Sequence, residues 1–183
     1  MHNFFKTIIF LCFLISNITF AQQKGRFARQ DKIWADVGLG LAENIGLVVN
    51  TSLNYQRNNL IFTGQYLKTD ELSSNSYPVE KSEEVALMAG WANRYKYFTI
   101  ALQAGPSLQS GMKRGEFIKR IEGSGAFDFY ESDPYKNAIG LTTQLQGFIN
   151  LKYVGLGGKI FSSVNKEKTF WGVGVNIFIG KLR

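Results

Sequence analysis

The feature that most constrains this chain is an alternation whose two faces are the wrong way round for a soluble protein. From position 33 onward, short segments alternate bulky apolar with small polar residues at a period of two, the period of a β-strand. In 47–56 one face reads Leu47, Val49, Thr51, Leu53 and Tyr55, and the other Val48, Asn50, Ser52, Asn54 and Gln56. In 97–108, Phe98, Ile100, Leu102 and Ala104 oppose Tyr97, Thr99, Ala101, Gln103 and Gly105. In 169–180, Trp171, Val173, Val175, Ile177 and Ile179 oppose Gly172, Gly174, Asn176 and Gly180. A soluble barrel would clothe its outer face in lysine and glutamate. Here the polar face is glycine, serine, asparagine, glutamine and alanine, with Asp36, Arg94 and Lys159 its few charges. Small uncharged side chains suit a crowded lumen, and a bulky apolar face suits lipid. The third segment, 60–68, shows the weakest contrast, because Ile61 and Leu67 share a face with Thr63 and Gln65.

Eight such segments can be read: 33–41, 47–56, 60–68, 84–93, 97–108, 138–149, 153–162 and 169–180. Tight connections at Arg57-Asn58-Asn59, Arg94-Tyr95-Lys96 and Asn150-Leu151-Lys152 alternate with longer ones at 42–46, 69–83, 109–137 and 163–168. That alternation predicts an all-β fold, an eight-stranded antiparallel up-and-down transmembrane β-barrel with short turns on one side of the membrane and long loops on the other. A membrane-crossing strand takes about 9–11 residues, so eight use on the order of 80 and leave the rest for connections. Ten strands would require 116–131 to enter the wall.

The barrel occupies 33–183, with its long outer loops at 69–83 and 109–137. Residues 1–21 read as a secretory signal peptide: Lys6, an apolar core from Ile8 to Ile15, and the small-residue exit Thr19-Phe20-Ala21. Residues 22–32 form an N-terminal periplasmic segment. The only histidine, His2, and the only cysteine, Cys12, fall within the signal. The mature chain is thereby expected to lack a disulfide, a thiol nucleophile and the commonest general base, and no cofactor or metal is expected. Basic residues gather at the N-terminal segment and tight turns (Lys24, Arg26, Arg29, Arg57, Lys96 among them), whereas the long loops carry an excess of acids. A basic rim beside phospholipid headgroups is electrostatically reasonable, and scattered cations without solvent-facing aromatics give no footprint for nucleic acid. Tyr55, Trp91, Tyr95, Phe98 and Tyr153 near the tight turns, with Tyr66, Phe170 and Trp171 near the loops, fit the two aromatic girdles of such barrels.

In size and layout, 33–180 resembles the small eight-stranded outer-membrane β-barrel proteins of Gram-negative bacteria, the OmpX-like proteins. The closing strand Gly174-Val175-Asn176-Ile177-Phe178-Ile179 resembles the terminal targeting signal of that group. The resemblance implies residence in the outer membrane, contact with its lipid, and dependence on the barrel-assembly machinery during biogenesis. Enzymes among such barrels generally need a histidine beside a serine or carboxylate, so no catalytic residue carries over to this chain. Gly38-Leu39-Gly40 and Gly157-Gly158-Lys159 lack the helix and spacing of a phosphate loop and read as small lumen-side residues.

Two constellations remain as candidate sites. Asp36, Arg94 and Lys159 share the lumen-facing parity, and buried charges need partners, so they predict a lumenal polar network. Trp34, Met88 and Phe178 share that parity with the glutamines, predicting a filled interior. In 109–137, two strand-like runs flank Gly123-Ser124-Gly125, a turn suited to a hairpin. Pairing outward places Ile121 opposite Phe127, Arg120 opposite Asp128 and Ile118 opposite Tyr130. Phe117, Arg120, Phe127, Asp128, Phe129 and Tyr130 are the candidate partner-binding residues of this hairpin. The expected function is a non-enzymatic integral outer-membrane barrel with a structural or partner-binding role through its outer loops. The alternatives are a narrow barrel that binds or passes a small hydrophobic molecule and, behind it, a lipid-modifying enzyme.

Overall fold

The structure, a computed structural model, describes residues 31–43, 46–72, 76–121, 127–151 and 153–182. The expected signal peptide 1–21, most of the segment 22–32 and the glycine turn 123–125 lie outside the described residues. Among the described residues nine strands are present: β1 (Lys32–Ala42), β2 (Gly46–Arg57), β3 (Leu60–Asp70), β4 (Ser76–Tyr77), β5 (Lys81–Arg94), β6 (Phe98–Ile121), β7 (Phe127–Leu151), β8 (Val154–Asn165) and β9 (Thr169–Gly180). All except the two-residue β4 are staves of one wall. Each stave pairs antiparallel with its chain neighbours, and β9 pairs with β1 to close the cylinder.

The ladder defines the geometry of closure. Level steps from Ile33 pass through Tyr55, Phe62, Ala89, Ala104, Thr143 and Ser162 to Trp171. The carbonyl of Trp171 accepts from the amide of Glu43 (2.9 Å), so one circuit returns to β1 ten residues above its start. A stagger of that size on eight strands tilts the staves by about 40° and leaves an interior that side chains can fill.

The staves run further than the sequence alternation predicts. The connections expected at 42–46 and 163–168 shrink to three residues each, 43–45 and 166–168, because β2 begins at Gly46 and β8 runs on to Asn165. Among the described residues, the connections that rise well beyond the wall are those between β3 and β5 and between β6 and β7. Residues 109–121 and 127–137 are not loop but the continuation of β6 and β7, which stand as a two-stranded ribbon beyond Met112, where pairing with β5 stops. The wall therefore has eight staves, and 116–131 adds none.

The two faces separate as the alternation requires. Leu87 is 69% exposed, Leu102 49% and Ile139 76%, whereas Asn50, Gln103, Gln144 and Asn176 are shut inside. Two apolar clusters and a polar layer stand out among the described lumen side chains. At the short-turn end, Trp34, Ile61, Phe148, Phe178 and Leu182 make an apolar plug, with the Phe148 and Phe178 rings stacked at 4.1 Å. At the ribbon end, Val48, Leu67, Phe161 and Phe170 make a second one. Ile61 and Leu67, which blur the alternation of β3, each belong to one of these plugs. The polar layer lies between them.

Candidate functional site

The polar layer is centred on an ion pair. The Lys159 ammonium lies 2.6 Å from Asp36 Oδ1, with both side chains fully shielded. Asp36 also accepts from the Asn54 amide (2.8 Å), the Asn176 amide (2.7 Å) and the Ser52 hydroxyl. Lys159 in turn donates to Ser52 Oγ at 3.0 Å. Thr63 donates to Asn54 Oδ1 at 2.7 Å, extending the network to β3. Saturating a buried carboxylate with several donors is what makes its charge tolerable. Gly38 is part of this arrangement, since a Cβ there would collide with the Asn176 amide. Arg94, grouped with Asp36 and Lys159 by parity, is not among their partners. It ends β5 at the short-turn rim, partly exposed and with contacts of its own.

Glu84, the first residue of the segment read as 84–93, lies indoors. Glu84 is 1% exposed and accepts from Thr142 (2.7 Å) and from Ser163. Its position, two residues before the buried Ala86 and four before Met88, is the signal that could have placed it there.

The ribbon carries the other constellation. Ile121 pairs with Phe127, Arg120 with Asp128 and Lys119 with Phe129. A register shift between Phe117 and Lys119 then bulges Ile118 out and sets Phe117, not Ile118, opposite Tyr130. Their rings meet edge to face at 5.5 Å. Arg120 grips Asp128 through two hydrogen bonds, 2.6 and 2.9 Å, and the guanidinium holds that carboxyl below the usual carboxylate range. Phe117, Ile118, Ile121 and Phe127 are all exposed.

A strand absent from the sequence reading completes the site. β4 pairs in parallel with β7, Ser76 against Asp128 and Tyr77 against Phe129, and the Tyr77 and Phe129 rings lie 6.2 Å apart. Below it, ion pairs knit the ribbon's base to its surroundings. Arg114 reaches Glu71 and the Pro78 carbonyl (3.2 Å), and Glu80 faces both Arg114 and Lys168. Lys113 joins Glu167 at 2.6 Å and Asp133 at 3.4 Å. Three connections are thereby tied together across the barrel mouth.

A closed eight-stranded antiparallel barrel, apolar outside and polar within, with a ribbon above one rim, defines the class: the small outer-membrane β-barrel fold. Solved structures agree. The N-terminal β-barrel domain of Pseudomonas aeruginosa OprF matches with a TM-score of 0.58 at 10% identity, over 84% of this chain and 99% of that one. Neisserial surface protein A matches with a TM-score of 0.58 at 14% identity, over 81% and 96%. Ail, the attachment invasion locus protein of Yersinia pestis, matches with a TM-score of 0.53 at 12% identity, over 84% and 99%, and has also been solved with the heparin analogue sucrose octasulfate. No family model matches the sequence, and no curated protein does.

Proposed function

We propose that this protein is a non-enzymatic integral outer-membrane barrel that meets a protein partner through its β6–β7 ribbon. One observation carries the reading. From Gly115 to Ile121, β6 pairs with β7 alone among the described residues, because pairing with β5 stops at Met112. An open edge flanked by exposed Phe117, Ile118 and Ile121 is a template for an added strand. The ribbon already accepts one on its other edge, where β4 lies against β7. Its cations are largely matched by carboxylates, as in Arg120–Asp128 and Lys113–Asp133, which favours strand pairing over capture of a polyanion such as the heparin analogue solved in complex with Ail. The histidine and cysteine confined to 1–21 support the non-enzymatic half, and β9, with its glycine and spaced apolar residues, supports delivery by the barrel-assembly machinery. Two apolar plugs leave the small-hydrophobic-molecule alternative with less support.

The test is a photo-crosslinking residue at Ile118, the bulged position, in intact cells. A discrete adduct is expected there. Its loss is expected when 116–131 is excised, with the barrel still folded as judged by heat-modifiable gel migration. An adduct pattern identical to that from a crosslinker at lipid-facing Leu102 would contradict the reading.

A further inference from the structure

The outward face is not uniform. A depression of about 540 Å³ crosses it from β9 to β5. Its walls are two successive rungs of the ladder. One wall is Ile179, Ala35, Leu53, Gly64 and Leu87, each level with the next. The other is Val37, Thr51, Tyr66 and Val85. The floor is the backbone of the rung between them, Asp36, Ser52, Gln65 and Ala86, whose side chains point into the lumen. Ala35 and Thr51 are small, and a Cβ on Gly64 would meet only Leu87, at 3.8 Å. The furrow is thus open where bulkier residues would have closed it.

We propose that this furrow seats one acyl chain of a phospholipid from the short-turn leaflet, the periplasmic one. A floor whose N–H and C=O groups are committed to the ladder offers only dispersion contacts, which a hydrocarbon chain returns in full. Four strand spacings give the furrow a length of about 19 Å, close to that of an extended lipid chain. It also climbs: Ile179 lies one residue from the short-turn end of β9, and Leu87 seven from that of β5. Running across staves tilted by about 40°, it rises roughly 12 Å, half of an apolar band about 25 Å tall. The span matches a single leaflet. At the low end, exposed Lys181 follows Ile179 by two residues and supplies a cation for the lipid phosphate. The seat is independent of the ribbon and of any partner there.

The experiment is native mass spectrometry of the full chain, reconstituted in vesicles of phosphatidylethanolamine and phosphatidylglycerol and then released into mild detergent. Wild type should retain one phospholipid. Gly64→Leu should lower that retention by roughly tenfold, about 1.4 kcal/mol, and so should Ala35→Leu, which carries the test if the first variant does not fold. Ala104→Leu, which adds the same bulk as Ala35→Leu to the lipid face outside the furrow, should retain the lipid. Lys181→Glu should weaken retention of phosphatidylglycerol. Equal retention in Gly64→Leu and Ala104→Leu would overturn the seat. So would a wild-type dimer that Gly64→Leu dissociates, because the occupant would then be a second copy of the chain. Unchanged phosphatidylglycerol retention in Lys181→Glu would overturn the headgroup assignment.

Discussion

Lys159 and Asp36 sit on strands separated by β9, and their contact is set by the barrel's closure rather than by any local pattern. Parity identifies both as lumenal, but parity carries no register around the wall, so the pair and the exclusion of Arg94 were illegible in the sequence. Removing one partner leaves the other charge buried without its counter-ion. Lys159→Met should therefore cost about 3–5 kcal/mol in unfolding free energy measured in detergent. Combining it with Asp36→Asn should recover a large part of that loss, and a double mutant no more stable than the single would count against the pair as drawn. Asp128 makes a contrasting case at the ribbon tip. Arg120 lowers its pKa from the ordinary 3.8, so the pair's contribution is fully present above that value and is lost as pH falls through the lower, folded one. Carboxyl NMR should find Asp128 titrating below 3.8. Titration at or above that value would mean that Arg120 does not hold it in solution.

Strands were the most legible elements and their ends the least. Charged or glycine-rich termini such as Lys81-Ser82-Glu83-Glu84 in β5 break the hydropathy pattern while still keeping the ladder. That is why β5 read as starting at Glu84 rather than Lys81, and why β2 and β8 came out short. The ribbon was visible because its two runs alternate and flank a glycine turn. Its bulge was not, since either Phe117 or Ile118 makes a sound apolar partner for Tyr130. β4 has only two residues and no periodicity to detect, and its place is decided by Tyr77 meeting Phe129. The Phe117–Tyr130 contact should contribute about 0.5–1.5 kcal/mol to the ribbon alone. Phe117→Ala should speed hydrogen exchange at 117–121 and 127–131 while the amides of the wall stay protected. Faster exchange in β1 or β9 as well would show that ribbon and wall unfold as one unit, contrary to the separation drawn here.

At the scale of the molecule, the class of fold was legible because a membrane reverses the usual distribution of side chains, and that reversal recurs in stave after stave. What sequence could not supply was the layering of the lumen, because an inward Ile61 or Leu67 obeys the same parity as an inward Gln65. With Trp34, Phe148 and Phe178 at one end and Phe161 and Phe170 at the other, planar bilayers should show no stable conductance on the order of a nanosiemens, the scale of water-filled porins. The bulky face of the barrel lies in hydrocarbon, and a charge placed at Leu102 would reveal any departure from that. This side chain points outward four residues into β6 from its short-turn end, between Trp91 and Leu145. In protein refolded into lipid vesicles, Leu102→Arg should lower the unfolding free energy by about 2–4 kcal/mol. An unchanged free energy, as on a water-facing surface, would contradict the membrane barrel itself.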